Sequence, residues 1–400
     1  MKEKENWLEV EKNSCLTEEA ESLRSVQSCV YDKSGKKILL SASTRSLPIV
    51  VRFVNQVFRT KRVPFKFVIE HRKKKAVPAS SLAKYFDLLR MMTSLYSRRF
   101  YYAPALALFF DCFADHDICH CTLKDPNRPA FNGGLEAAVF NDFVKMLREE
   151  GIRVNVTKKM NDWQNAIDEN AKRLTRYVDA LFERHARLMV VRVDLLYKIA
   201  CLDEKQIEAS KQTMVREDRD DLWFLYGDKE IKFDALETQA RFDVKELIED
   251  RKHLFENMRS KPSLFEHMVG YVWRIEWSRI GGYHLHVAFF FDGSKVKKDA
   301  WLGDQIGQYW VDVITTGRGI YHNCNRFKAQ YGDLWGIGEV NYHDTEKRAK
   351  LMRALGYLAK RSQYVYVKPS VKCNLFSTGH MPAQKPAVGR PRKKGREVSA

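Results

Sequence analysis

No apolar run in this 400-residue chain approaches the roughly 20 residues that a membrane-spanning helix requires. The amino terminus, Met1-Lys-Glu-Lys-Glu-Asn-Trp7, has no apolar core of the kind a secretory signal carries. Both absences point to a cytoplasmic location and away from a membrane partner. Cysteine is sparse: eight residues scattered along the chain fit a reducing compartment better than a disulfide framework. Acidic residues are outnumbered, 51 against 69 Lys and Arg, which leaves a formal charge of +18. That excess points to a polyanionic partner, nucleic acid first and an anionic membrane surface second. A merely soluble basic protein is the ordinary alternative. No Gly-x-x-x-x-Gly-Lys-Ser/Thr occurs, so no P-loop helicase is expected within the chain. No internal repeat is found. What is present is apolar material, 44% hydrophobic and 12% aromatic, enough for two or three domains with their own cores.

The pattern changes along the chain. Residues 1–185 read as a mostly helical region, with apolar residues at helical spacing over 47–58, 81–100, 134–150 and 161–185. Breakers at Val63-Pro-Phe65 and Lys124-Asp-Pro-Asn-Arg-Pro129 separate them. The run His71-Arg-Lys-Lys-Lys75 reads as a solvated surface face, with phosphate contact the sharper alternative. His116, Cys119, His120 and Cys121 are spaced too tightly for a usual zinc knuckle, so they read as ordinary thiols and imidazoles.

From residue 186 to 370 strands and helices alternate. Strands are expected over 188–197, 272–278, the run around His284, 336–342 and 364–367, and helices over 244–259, 299–314 and 344–361. This order predicts an α+β fold, a central antiparallel sheet of ferredoxin-like character with helices on one side. Residues 371–400, rich in Pro, Gly, Lys and Arg from 382 to 396, read as a basic disordered tail.

The densest chemistry lies in Trp273-Arg-Ile-Glu-Trp-Ser-Arg-Ile-Gly-Gly-Tyr-His-Leu-His-Val287. His284 and His286 flank one apolar residue on a strand, where side chains alternate faces, so both imidazoles emerge on one side. Gly281-Gly282 signals a turn and makes the stretch a β-hairpin. If the turn is three residues centred near Ile280, Glu276 lies across from His284. Two imidazoles and a carboxylate on one sheet face suit a divalent metal. A one-residue slip would turn Glu276 to the other face, and His-x-His alone is ordinarily a pair of surface histidines. Tyr357 and Lys360 are three residues apart on a predicted helix and share a face. The tyrosine hydroxyl ordinarily titrates near about 10; a metal and an ammonium beside it favour the nucleophilic phenolate.

These residues resemble the HUH endonucleases of the rolling-circle initiator type. His284-Leu-His286 matches the His-hydrophobic-His motif, and Tyr357-Leu-Ala-Lys360 the nicking Tyr-x-x-Lys motif. Val191-Arg-Val-Asp-Leu-Leu196 stands where the first strand motif would lie. With Gly356-Tyr-Leu-Ala-Lys-Arg-Ser-Gln-Tyr364, the region is similar to the inovirus replication nickases (gene-two proteins), with a YagK/YfjJ-like C-terminal domain. The resemblance spans about residues 185–370 and leaves the first half unexplained.

It implies a metal-dependent, site-specific DNA nickase and ligase acting through a 5′-phosphotyrosine intermediate in a bacterial host cell. Glu276, His284 and His286 would hold Mg²⁺ or Mn²⁺; Tyr357 would attack and Lys360 stabilise charge. Single-stranded or melted replication-origin DNA would be the substrate, with a host helicase and replication proteins as partners. Tyr364 is the rival or second nucleophile, and Tyr366 a strand residue. Two alternatives stand beside this one: a non-catalytic DNA-binding regulator of the same fold, and a mobilisation relaxase. In the tail, Gly389-Arg390-Pro391-Arg392-Lys393-Lys394 resembles an AT-hook, except that Val388 stands where an arginine is usual. A basic tail binding phosphates without preference is the alternative.

Overall fold

The computed structural model describes residues 29–32, 37–39, 46–98, 100–131, 133–227, 244–278, 282–330, 332–359, 364–367 and 373–383. In the first half lie β1 (Cys29–Asp32), β2 (Lys37–Leu39), α1 (Ser46–Arg59), β3 (Phe65–Glu70), β4 (Lys73–Pro78), β5 (Phe100–Tyr102), α2 (Pro104–Ala114), α3 (Glu136–Arg153) and α4 (Val156–Arg184). Next come β6 (Arg187–Tyr197), β7 (Cys201–Leu202), α5 (Glu204–Leu225), α6 (Val244–Asn257), β8 (Met268–Ser278) and β9 (Gly282–Asp292). The chain continues with α7 (Asp299–Tyr309), β10 (Gly319–Asn323), β11 (Gly338–Asn341), α8 (Thr345–Ala359), β12 (Val365–Val367) and β13 (Phe376–Thr378).

The first half builds an aromatic core. On α1 the buried Leu47, Val50, Val51, Val54 and Val57 form one helical stripe. Phe53, Phe109, Phe140 and Phe143 are fully buried there; the Phe53 and Phe109 rings meet edge-on at 5.9 Å, a preferred aromatic geometry. Pro104 opens α2 at a first-turn position, where a missing N–H costs nothing. The long helix α4 joins two cores: Val156 and Met160 belong to the first, while Leu174, Tyr177, Val178, Leu181 and Phe182 pack on the second half.

The second half is an α+β unit around an antiparallel sheet of order β10-β6-β9-β8-β13, with β11 also paired to β6. Along β9, odd-numbered residues Tyr283 to Phe291 face a core shared with α6 and α7. Even-numbered Ala288 and Phe290 face α4 and α8.

Several expectations are corrected. Helices cover both faces of the sheet rather than one, because the central strands carry apolar residues on each face: Val190, Val272, Ala288 and Phe290 on one, Val191, Trp273, Val287 and Phe289 on the other. Residues 81–100 are not one helix: their apolar positions Leu82, Tyr85, Phe86, Leu89, Met92 and Leu95 are buried, yet the chain forms a 3₁₀ turn, a short helix and then β5. The hairpin β3–β4 interrupts the helical region; its His71-Arg72 turn carries neither Gly nor Asn to announce it. Strand 364–367 does not close the main sheet but pairs with β5 of the first half. The sheet edge is instead taken by β13, drawn from residues assigned to the tail: Phe376 pairs with Arg274 and Thr378 with Val272. A three-residue strand needs only a partner and one packed side chain, here Phe376 against the α8 core, so composition does not reveal it.

Candidate metal centre

The β8–β9 register pairs Glu276 with His284, Arg274 with His286 and Ser278 with Gly282. On the other side of β9, Asp194 of β6 pairs with His286, and His322 of β10 pairs with Asp194. Directly paired residues share a sheet face. That face is the one α4 and α8 cover, so a sheet surface that is apolar at Val190, Val272, Ala288 and Phe290 turns polar toward the hairpin tip.

Among the described residues, one His/Cys/Asp/Glu group converges closely enough to hold an ion: Glu276, His284 and His286, whose ligand atoms lie within 4.8 Å of one another. Glu276 Oε2 stands 3.0 Å from His286 Nε2 and 3.9 Å from His284 Nε2. The other ring nitrogens are held from outside. His286 Nδ1–H donates to Asp194 Oδ1 at 2.5 Å, and His284 Nδ1–H to the Gly282 carbonyl at 3.3 Å. Such outer hydrogen bonds fix the tautomer and turn Nε2 toward the shared point. Two imidazole nitrogens and a carboxylate oxygen fit a divalent ion of the Mg²⁺/Mn²⁺ to Zn²⁺ range, so the residues suit the expected cofactor without naming it.

The cluster is buried, and its titration reflects that. Burial pushes His284 down to about 4, with the neighbouring His286 cation acting in the same direction. Burial opposes the charged form of His286 too, but the Asp194 and Glu276 carboxylates outweigh it and hold the ring up at about 9. Burial likewise opposes ionised Glu276, yet the His286 and Arg274 cations keep it well below the usual carboxylate range. Asp194 is depressed similarly, by His286 and Arg192 against burial. Without an ion, a protonated His286 therefore bridges two carboxylates.

Arg274 connects the cluster to α8. Its Nε lies 2.8 Å from Glu276 Oε1, and its Nη1 donates to the Leu358 carbonyl at 3.2 Å. Carbonyls of a last helical turn have no partner within the helix and carry partial negative charge, which a guanidinium satisfies. Leu355, Leu358 and Ala359 are buried against the sheet, so the carboxyl-terminal turn of α8 adjoins the metal cluster. Tyr357 belongs to that turn, although its side chain, like Lys360, lies outside the described residues. The tail positions Arg390, Pro391, Arg392, Lys393 and Lys394 also lie outside them.

Tyr364 is a different matter. It is 4% exposed and packs in the first-half core, and its carbonyl accepts from Ala103 N at 2.7 Å. A hydroxyl held there is not offered to the metal cluster. Tyr366 lies in β12 as a strand residue. His116 caps a short 3₁₀ turn through Nδ1, which accepts from Ile118 N at 3.0 Å, and burial pushes the Cys121 thiol up to about 11; no metal group forms there among the described residues.

Arg274 and Arg192 were not singled out from the sequence. The signal was present: each stands two residues before a carboxylate, Glu276 or Asp194, on the same strand and so on the same face.

Fold and site together define an α+β domain with a two-histidine, one-carboxylate centre on an antiparallel sheet. A family model described as the YagK/YfjJ C-terminal domain matches residues 149–370, and the chain belongs to that family. No curated protein and no solved structure matches it. Among the described residues no helix is long and apolar enough to cross a membrane.

Proposed function

We propose that the chain is a metal-dependent, site-specific single-strand DNA nicking and joining enzyme that starts rolling-circle replication of a phage, prophage or plasmid-like element. The observation carrying this reading is the convergence of Glu276, His284 and His286 on a buried sheet face beside the end of the helix that bears Tyr357. The net charge of +18 supports a polyanionic substrate.

Glu276, His284 and His286 would hold Mg²⁺ or Mn²⁺, which supplies a Lewis acid for the scissile phosphodiester. Asp194 orients His286, and Arg274 ties α8 to Glu276 and thereby to the ligands. The Tyr357 oxygen forms the new bond to phosphorus as the bond to the 3′ oxygen breaks. The tyrosine proton passes to solvent, and the departing 3′ oxygen takes one from solvent, becoming a hydroxyl that primes synthesis. Lys360 stabilises the negative charge that builds on the phosphoryl oxygens. Reversal of the step reseals the strand. Unwinding falls to a host helicase, and the tail around Arg390 to Lys394 adds DNA contact.

The test incubates the full chain with Mg²⁺ or with Mn²⁺ and labelled single-stranded DNA tiling the element that encodes it. Wild type yields a covalent protein–DNA adduct and Tyr357→Phe does not. His284→Ala with His286→Ala abolishes the adduct but keeps salt-sensitive DNA binding. Tyr364→Phe changes nothing. No wild-type adduct with either metal would leave a DNA-binding regulator; an adduct persisting in Tyr357→Phe would remove the assigned nucleophile.

A further inference from the structure

The first half carries a feature that the nicking chemistry does not use. Residues 59–75 hold eight Lys and Arg and one carboxylate, Glu70, a net +7 of the chain's +18. The structure gathers them on and beside the β3–β4 ribbon. Arg59, Lys61, Arg62, Lys66 and every residue from Ile69 to Lys75 are exposed, so the outer half of the ribbon stands in solvent on both faces. One face carries Lys66, Val68, Glu70, Lys73, Lys75 and Val77; the other carries Phe65, Phe67, Ile69, Lys74 and Ala76.

The base of the ribbon is clamped. A lone two-stranded ribbon is marginal in water, and its outer edges leave backbone groups to satisfy. Asn141 takes one edge, accepting from Phe65 N at 3.0 Å and donating to Phe65 O at 2.8 Å. Asn127 takes the other, accepting from Ala76 N at 2.7 Å. Phe65 and Ala76 are buried in the aromatic core. Arg148 straps the entry segment, donating to the Val57 and Arg62 carbonyls at 3.1 and 3.2 Å.

The tip is strained instead of economical. His71 and Arg72 both have positive φ, 49° and 61°, in a two-residue turn where Asn-Gly adopts that backbone at least cost. A strained turn that places an imidazole and a guanidinium at the far end of a rigid arm is evidence for a contact made there. Ordinary protection of exposed strand edges needs a lysine or two. It does not need four successive cations and a strained tip.

We propose that the β3–β4 ribbon is a duplex-DNA-docking arm, laying Arg72, Lys73 and Lys75 against phosphates flanking a groove. A two-stranded ribbon fits the major groove, about 12 Å wide, and the cations match a paired phosphate backbone, which exposes no base faces for stacking. The arm would serve a regulator as well as a nickase, so it does not depend on Tyr357.

The test measures binding of the full chain to an arbitrary duplex of about 30 base pairs, and to one of its single strands, between about 50 and 200 mM salt. Replacing Lys73→Ala, Lys74→Ala and Lys75→Ala together should weaken duplex binding about tenfold or more and flatten the salt slope by about two to three. Single-strand binding should change little. A second variant, His71→Asn with Arg72→Gly, relaxes the turn, so its melting temperature should hold or rise while duplex affinity falls; a merely structural tip predicts unchanged affinity. Unaltered duplex affinity and slope in both variants would overturn the proposal. So would equal losses on single strands, or a loss confined to phosphatidylserine vesicles, which would mark a membrane contact. The adduct assay with single-stranded DNA is read separately and should be unaffected by either variant.

Discussion

The two faces of the central sheet are built from the same strands and have opposite characters. One is apolar from end to end: Trp273, Ile275, Trp277, Leu285, Val287 and Phe289 are buried under α6 and α7. The other is apolar where α4 and α8 pack on it and turns polar toward the hairpin, where Asp194, Glu276, His284, His286, Arg192 and Arg274 lie beside the end of α8. Burying an ionisable group is costly unless it is paired, and a buried pair is often no more stabilising than well-packed hydrocarbon. Six such groups side by side contribute little that Val and Leu would not contribute better. The first face holds the sheet together, while the second gathers the groups that the proposed metal chemistry would use.

The largest effect comes from breaking the apolar face. Phe289 is fully buried, so Phe289→Ala should destabilise by about 3–5 kcal/mol, measured by denaturant unfolding at unchanged register. Asp194→Asn tests the polar face. It replaces the charged acceptor that orients His286 with a neutral amide, and Mn²⁺ affinity by titration calorimetry should fall about 10–100-fold, with a much smaller change in fold. A loss of stability as large as that of Phe289→Ala, with metal affinity intact, would make Asp194 structural.

The subtlest effect is on pH. His286 is raised from 6.5 to about 9, so its contribution to metal-free stability is fully present below about 6.5 and is lost as pH rises through about 9. An ion competes with the proton on Nε2, so apparent Mn²⁺ affinity should rise about tenfold per pH unit up to about 9 and then level off. His284, lowered to about 4, is already neutral over that range and adds no slope. Affinity and metal-free stability should thus run in opposite directions, and parallel curves would contradict the bridged His286.

Much of the site was legible because strand chemistry has a period of two. His284 and His286 share a face by that rule alone, and the glycine pair in the sequence pointed to the register in which Glu276 pairs with His284. Arg192 and Arg274 obeyed the same rule and were passed over, since a cation near a metal site is not expected as a ligand. The β3–β4 ribbon was hidden by its turn, which uses His and Arg where Asn and Gly are usual. Tyr364 looked reactive by proximity in sequence to Tyr357, but five residues beyond that helix the chain has crossed into the first-half core.

The order of residues was by itself sufficient for the strand and helix alternation of the second half, the shared side of the two imidazoles and the excess of cations. Those follow from local periodicity and composition, which act over a few residues. Which helices cover each face, that Asp194 and Arg274 meet His286 from two other strands, and that β12 leaves the main sheet while β13 joins it, were settled only by packing. These depend on contacts between segments far apart in the chain, where buried surface and paired charge choose among pairings that local pattern leaves equal.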